Sequence, residues 1–175
     1  MNAVEPQASV EQQQLSKLKA LGLLIAAMAM SAGFIAICGA LGNHDFYAGF
    51  VFLLCWTVME KIQVKRLPHS IIGCAFGVLL GYALQYVIGN AVPMGGLIFT
   101  AIVMVVLYCQ FLGWLPLIAN LSMFTMLLVV TIPYIQTQAK FLDVVISLAL
   151  GVVYFTPIIA GSLHFSAKRK AASAS

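Results

Sequence analysis

Four long apolar runs dominate the chain, Ala20 to Leu41, Ser70 to Ile88, Pro93 to Ile132 and Phe141 to His164, with polar residues gathered between them. A bilayer crossing needs about 20 apolar residues in a helix, so each run predicts at least one spanning helix. The third run is 40 residues long. It is read as two crossings, with Gln110, Gly113, Trp114 and Pro116 marking the bend. A further stretch, "DFYAGFVFLLCWTVMEK" from Asp45 to Lys61, has only fourteen uncharged residues between its acidic ends. As a helix these rise about 21 Å, against roughly 30 Å for the hydrocarbon core.

Charge decides that ambiguous segment. If Phe46 to Met59 crosses, six spans leave both chain ends on one side. That side then holds Lys17, Lys19, Lys61, Lys65, Arg66, Lys168, Arg169 and Lys170, and only Lys140 lies opposite. This obeys the positive-inside rule, whereas a non-crossing segment splits the two basic termini between faces. The short segment is therefore expected to cross, its deficit met by local thinning, by Lys61 snorkelling, or by burial of its ends within the bundle, the last of which makes it an inner helix.

Shifting the chain by 74 residues aligns Ala20 to Gly81 with Met94 to Phe155, with identities that include Leu23/Leu97, Gly39/Gly113, Phe50/Phe124, Leu53/Leu127, Thr57/Thr131 and Gly77/Gly151. Three spans per half is odd, so the second half enters from the opposite face. The expected fold is all-α: a polytopic membrane helix bundle of six transmembrane helices, built as two inverted three-helix repeats (about 20–88 and 94–164) with a short second span. Residues 1–18 form a polar tail, 19–165 the membrane domain and 166–175 a small basic tail, both tails expected to lack structure.

Composition agrees with lipid as the solvent: 62% of residues are hydrophobic and 8% charged, and the mean hydropathy is +1.03, which excludes an ordinary soluble domain. The net charge of +4 reads as a topology signal rather than a nucleic-acid footprint. The run after Lys17 and Lys19 is too long for a signal h-region, and Ile37 before Cys38 argues against lipidation. Cys38, Cys55, Cys74 and Cys109 lie inside apolar runs without CxxC spacing, so they are expected to be buried thiols.

Candidate chemistry is sparse. His69, Gly73, Gly77, Gly81 and Gln85 recur every four residues along the third span, and Asp143, Ser147, Gly151 and Tyr154 form the equivalent stripe in the sixth. The small residues predict close helix packing. His69 and Asp143 correspond in the repeat but belong near opposite faces, so they cannot pair. They divide instead into an outer mouth of His44, Asp45 and Asp143 and an inner mouth of Glu60, His69 and His164. Asp45 is a candidate cap for the second span. Asn120, Gln85, Thr57, Thr125 and Tyr154 are the mid-depth candidates for a polar path, or for hydrogen bonds to neighbouring helices. Trp56 and Trp114 read as interfacial anchors. No HExxH, GxSxG or phosphate loop is present, so an enzyme is not expected, nor a cofactor or metal.

The stretches "YAGFVFLLCWTV" and "VVISLALGVVYFTPIIAGSLHF", with "IIGCAFGVLLGYAL" between them, resemble a family of short bacterial inner-membrane proteins, number ten ninety-seven among the domains of unknown function. The resemblance covers most of residues 20–165 and implies an integral protein of the bacterial inner membrane. It carries no substrate or catalytic residue, and the basic "EKIQVKR" loop departs from the family pattern.

The expected function is a channel or transporter for a small solute or ion, its pathway at the repeat interface or the centre of a homo-oligomer, with both termini cytoplasmic. Membrane lipids and further copies of the chain are the expected partners, not nucleic acid. The alternative is a non-transporting membrane assembly or regulatory subunit.

Overall fold

The computed structural model describes residues 17–90, 92–138 and 140–172, with side chains described for 21–90, 92–133, 135–138 and 140–163. Its helices are α1 (Lys17–Ala40), α2 (Tyr47–Leu54), α3 (Leu67–Gly89), α4 (Gly95–Phe111), α5 (Leu121–Val130), α6 (Pro133–Gln138) and α7 (Phe141–Ala172). There is no strand among the described residues. The segments Leu21–Ala40, Val64–Gly89 and Phe141–Leu163 are long and apolar enough to cross a membrane, and Tyr47–Met59, Gly95–Phe111 and Leu121–Val130 are shorter apolar helices.

Local sequence sets the breaks between them. Gly42 and Gly113, both left-handed at φ +71° and +65°, end α1 and α4. In each case the residue after the glycine donates back to the last turn, Asn43 N to Cys38 O at 2.9 Å and Trp114 N to Cys109 O at 3.1 Å. This is the Schellman closure that glycine permits. Pro68 occupies the first turn of α3, where its missing N–H costs nothing.

Packing is organised around two close helix pairs, α3 with α5 and α2 with α7. A Cβ on Gly77 would lie 2.6 Å from Met123 O, and one on Gly151 would lie 2.6 Å from Gly49 Cα. Side chains at either point would hold the backbones apart. The partners advance together along each pair. Gly73, Gly77 and Gly81 meet Asn120, Met123 and Val130 in turn, and Gly49 and Phe50 meet Ser147 and Phe155. Both pairs are thus parallel. By contrast α3 runs antiparallel to α7, since Tyr82, late in α3, meets Phe141 at the start of α7 edge-on at 5.2 Å, while Ala75 and Leu148 line the same groove. Helix α1 is also antiparallel to α7, with Asn43 near Asp143 and Met30 near Tyr154. Helix α4 packs on α3 from the outside. With Gly95 at the start of α4 set against Val87 near the end of α3, helix direction alternates through α1, α2, α3, α4, α5 and α7, and α1 begins at the end of the bundle where α7 finishes.

The main core joins Phe52, Cys55, Trp56, Cys74, Val78, Met126, Val130 and Val144, and a second cluster joins Phe34, Cys38 and Phe155. Three expectations are corrected here. Trp56 is fully buried, stacked on Phe52 at 6.3 Å, with its Nε1 donating to Gln63 O at 3.4 Å. It is a core residue and not an interfacial anchor, whereas Trp114 is exposed. Asp45 does not cap α2, whose N-cap position is Phe46 without a side-chain bond. Asn43 holds the Asp45 N–H at 2.8 Å, and the Asp45 carboxylate accepts from Lys140 N at 3.3 Å. Residues 166–172 of the basic tail are helical, because α7 continues to Ala172, and 173–175 lie outside the described residues. The polar stretch 1–16 lies outside the described residues.

Candidate functional site

After Leu54 the second helix widens into a π-helical turn, Cys55–Met59, closed by Glu60 N donating to Cys55 O at 3.1 Å. Single π turns often mark functional positions. Lys61 and Ile62 follow with φ +49° and +57°, a left-handed pair costing about 1–2 kcal/mol per residue. The surroundings hold them there: Ile62 N donates to Trp56 O at 3.1 Å, Gln63 N donates to Glu60 O at 3.0 Å, and the Ile62 side chain packs on the main core. A 3₁₀ turn, Val64–Arg66, then leads into α3. This distorted stretch forms one wall of a cleft.

The cleft, about 470 Å³, is lined by Met59, Glu60, Arg66, His69, Gln110 and Asn120 among others. Arg66 Nη1 lies 3.3 Å from Glu60 Oε2, with the arginine 61% exposed and the glutamate 12%. His69 turns a buried Nδ1 into this region with no hydrogen-bond partner among the described residues. Its carbonyl accepts from Asn120 Nδ2 at 2.8 Å, and Asn120 Oδ1 accepts from Met123 N at 3.0 Å. Asn120 thus caps α5 and ties that helix to the start of α3. The structure brings Glu60, His69 and Asn120 together. The His164 side chain lies outside the described residues.

At the opposite end of the bundle, Asp45 meets the Lys140 backbone and Asn43 Nδ2 donates to Asp143 O at 2.7 Å. His44 is exposed. His69 and Asp143 start antiparallel helices and so sit at opposite ends. Asn43, almost wholly buried, organises this end. Its role depends on a contact 100 residues away, which local pattern does not carry.

The mid-depth candidates are each bonded to backbone. Thr57 donates to Leu53 O at 2.7 Å, Thr125 to Leu121 O at 2.9 Å, Gln85 to Gln136 O at 2.8 Å and Tyr154 to Met30 O at 3.2 Å. Gln136 is a further buried polar residue that the sequence reading missed. From α6 its Nε2 donates to Gly81 O at 3.2 Å and Val130 O at 2.8 Å. The Gly73, Gly77 and Gly81 face is filled by α5, and Ser147 Oγ accepts from Gly49 N at 3.3 Å beside Gly151. Two buried thiols lie just above the cleft, Cys55 and Cys74, at 4.0 and 3.9 Å from Ser122 O. A separate, almost wholly apolar groove of about 590 Å³ runs between α3 and α7.

Among the described residues no three His, Cys, Asp or Glu side chains are placed to share a metal ion. The cleft can take up a small polar guest, offering a carboxylate, a guanidinium and an imidazole. Against known proteins, no family model, curated protein or solved structure matches the chain.

Proposed function

We propose that this is a six-span transporter of the bacterial inner membrane, carrying a small solute or ion between two inverted three-helix halves, with the Glu60–His69 cleft as its cytoplasmic mouth. The observation that carries it is a reciprocal contact. Gly77 of α3 packs on Met123 of α5, and Gly151 of α7 packs on Gly49 of α2; the 74-residue offset that aligns the two halves exchanges one contact for the other. The same exchange turns the α4–α3 contact into the α1–α7 contact. Alternating helix direction is what six successive crossings require. Matched short segments in inverted halves, here α2 and α5, recur in transporters with the substrate path at the repeat interface.

The mid-depth polar residues are spent on backbone and the glycine face is closed by α5, so movement of one half against the other is needed to pass a solute. That favours alternating access over a standing pore. The basic residues flanking the cleft and in the last turns of α7 belong on the cytoplasmic side by the positive-inside rule. The mainly apolar outer faces of α1 and α4 suit lipid or further copies of the chain in a homo-oligomer.

Flux into proteoliposomes of small amides, carboxylates, nitrite and ammonium tests this reading, with His69→Phe and Gln110→Phe filling the cleft. Transport of one solute class that both substitutions abolish is expected. Folded protein that moves none of them overturns it. The close α3–α5 packing also favours a second reading, a non-transporting assembly subunit, which predicts a stable co-purifying membrane partner and no flux.

A further inference from the structure

From the sulfur atoms behind the cleft we infer a binding site for a soft monovalent cation of the copper(I) class, formed by Cys55, Cys74 and Met59. It goes beyond the transport reading and needs only that the cleft admit solvent. The three residues come from two elements that the fold forces together. Cys55 opens the π turn and Met59 closes it; Cys74 lies on the face of α3 that packs on α5. Both thiols are fully buried and both address one carbonyl, Ser122 O, at 4.0 and 3.9 Å. The Thr125 hydroxyl, one turn further along the same helix as Ser122, donates to Met59 Sδ at 3.7 Å. Met59 itself lines the cleft, whereas the two thiols lie behind it, fully buried.

Donor chemistry selects the ion. Thiolate and thioether sulfur favour soft cations and give nothing to Mg²⁺ or Ca²⁺, which require oxygen ligands. Structural zinc takes four ligands in a tetrahedron, and among the described residues no three His, Cys, Asp or Glu side chains are placed to share one ion. Copper(I) and silver(I) are satisfied by two or three sulfurs. The unbranched Met59 side chain can change rotamer to bring the third. The hydroxyls of Ser70 and Ser122, fully buried and without partners among the described residues, lie on the two helices that flank the thiols. Metal binding displaces the thiol protons, so affinity rises with pH. No electron transfer is involved.

Silver(I), redox-inert, is the probe. The purified full chain in detergent micelles is titrated with Ag(I) against a competing chelator, and with Cu(I) under anaerobic ascorbate. One Ag(I) per chain is expected, with a sulfur-only coordination shell by X-ray absorption. Cys55→Ser and Cys74→Ser should each weaken binding by more than about tenfold, the smallest loss usual even for changes outside the ligand shell. Cys38→Ser and Cys109→Ser should leave it unchanged. Met59→Leu keeps the side-chain volume and the fold, so a weaker site in that variant separates lost ligation from misfolding. Binding that follows Cys38 or Cys109, that survives in the Cys55→Ser/Cys74→Ser double variant, or that is absent from folded wild-type chain overturns the inference. None of these outcomes touches the flux measurement.

Discussion

Gly151 rests on Gly49 so closely that a Cβ on the former would sit 2.6 Å from the Cα of the latter. Because the clash is with backbone, no side-chain rotation relieves it. Gly151→Leu should therefore destabilise the protein by about 1–3 kcal/mol, the usual cost of overpacking. Gly77→Leu, blocked by Met123 O in the repeat-related place, should cost a similar amount. Gly39→Leu, whose Cβ would meet nothing within 4 Å, should be neutral or mildly stabilising. Thermal unfolding of the three variants in one detergent checks the ordering, and equal midpoints for all three would refute close packing at both glycines.

Asn120 is the second point of dependence. Its Oδ1 caps α5 and its Nδ2 holds the carbonyl of His69. Asn120→Ala loses the cap, about 0.5–2 kcal/mol, and leaves the His69 carbonyl short of a donor, about 1 kcal/mol or more if water does not replace it. Asn120→Asp keeps the cap but cannot donate, so its loss should be smaller than that of alanine. Denaturation midpoints that rank aspartate below alanine would show that setting a carboxylate against the His69 carbonyl costs more than the cap contributes.

Lys61 is exposed and left-handed at φ +49°. Glycine adopts that conformation without the Cβ penalty, so Lys61→Gly should stabilise the chain by about 1 kcal/mol. Lys61→Val should destabilise it by at least as much, because a β-branched residue is poorest there. The neighbouring Ile62 does not offer the same gain, since its side chain packs on the core. A rise in the melting midpoint for glycine and a fall for valine is the expected result. The reverse order would remove backbone strain from the description of the cleft wall.

Much of this architecture was legible from apolar run lengths, because a run of about 20 residues admits few alternatives to a helix. The break at Gly113 and the separate, short α2 were readable for the same reason. Helix α6 was not: the third apolar run was bounded at Ile132, and Pro133, at the first position of α6, begins a helix there. The π turn and the left-handed Lys61 and Ile62 depend on tertiary partners, Trp56 O above all, and leave no local mark. Trp56 misled because indole suits a bilayer interface as well as a core. Within the cleft, Glu60 and His69 were found as helix-end charges, but Arg66 and Gln110 join them only through the way α3 and the α4–α5 bend are placed.

The short α2 decides the topology, and it can be tested without knowing any substrate. Asn43 precedes α2 and is anchored to the start of α7; Lys65 follows it, in the 3₁₀ turn beyond the π turn. If Tyr47–Met59 crosses, His44 and Lys65 face opposite compartments although only about twenty residues separate them, a span that reaches roughly 30 Å in helical form. Single cysteines at His44 and Lys65, placed in a background with Cys38, Cys55, Cys74 and Cys109 replaced, should differ in labelling by a membrane-impermeant maleimide on intact cells. His44→Cys should react from outside and Lys65→Cys only after the membrane is opened. Equal labelling of both from outside would leave α2 on one face of the bilayer. Helices α2 and α7 pack in parallel, so that result would break the alternation on which two inverted halves depend.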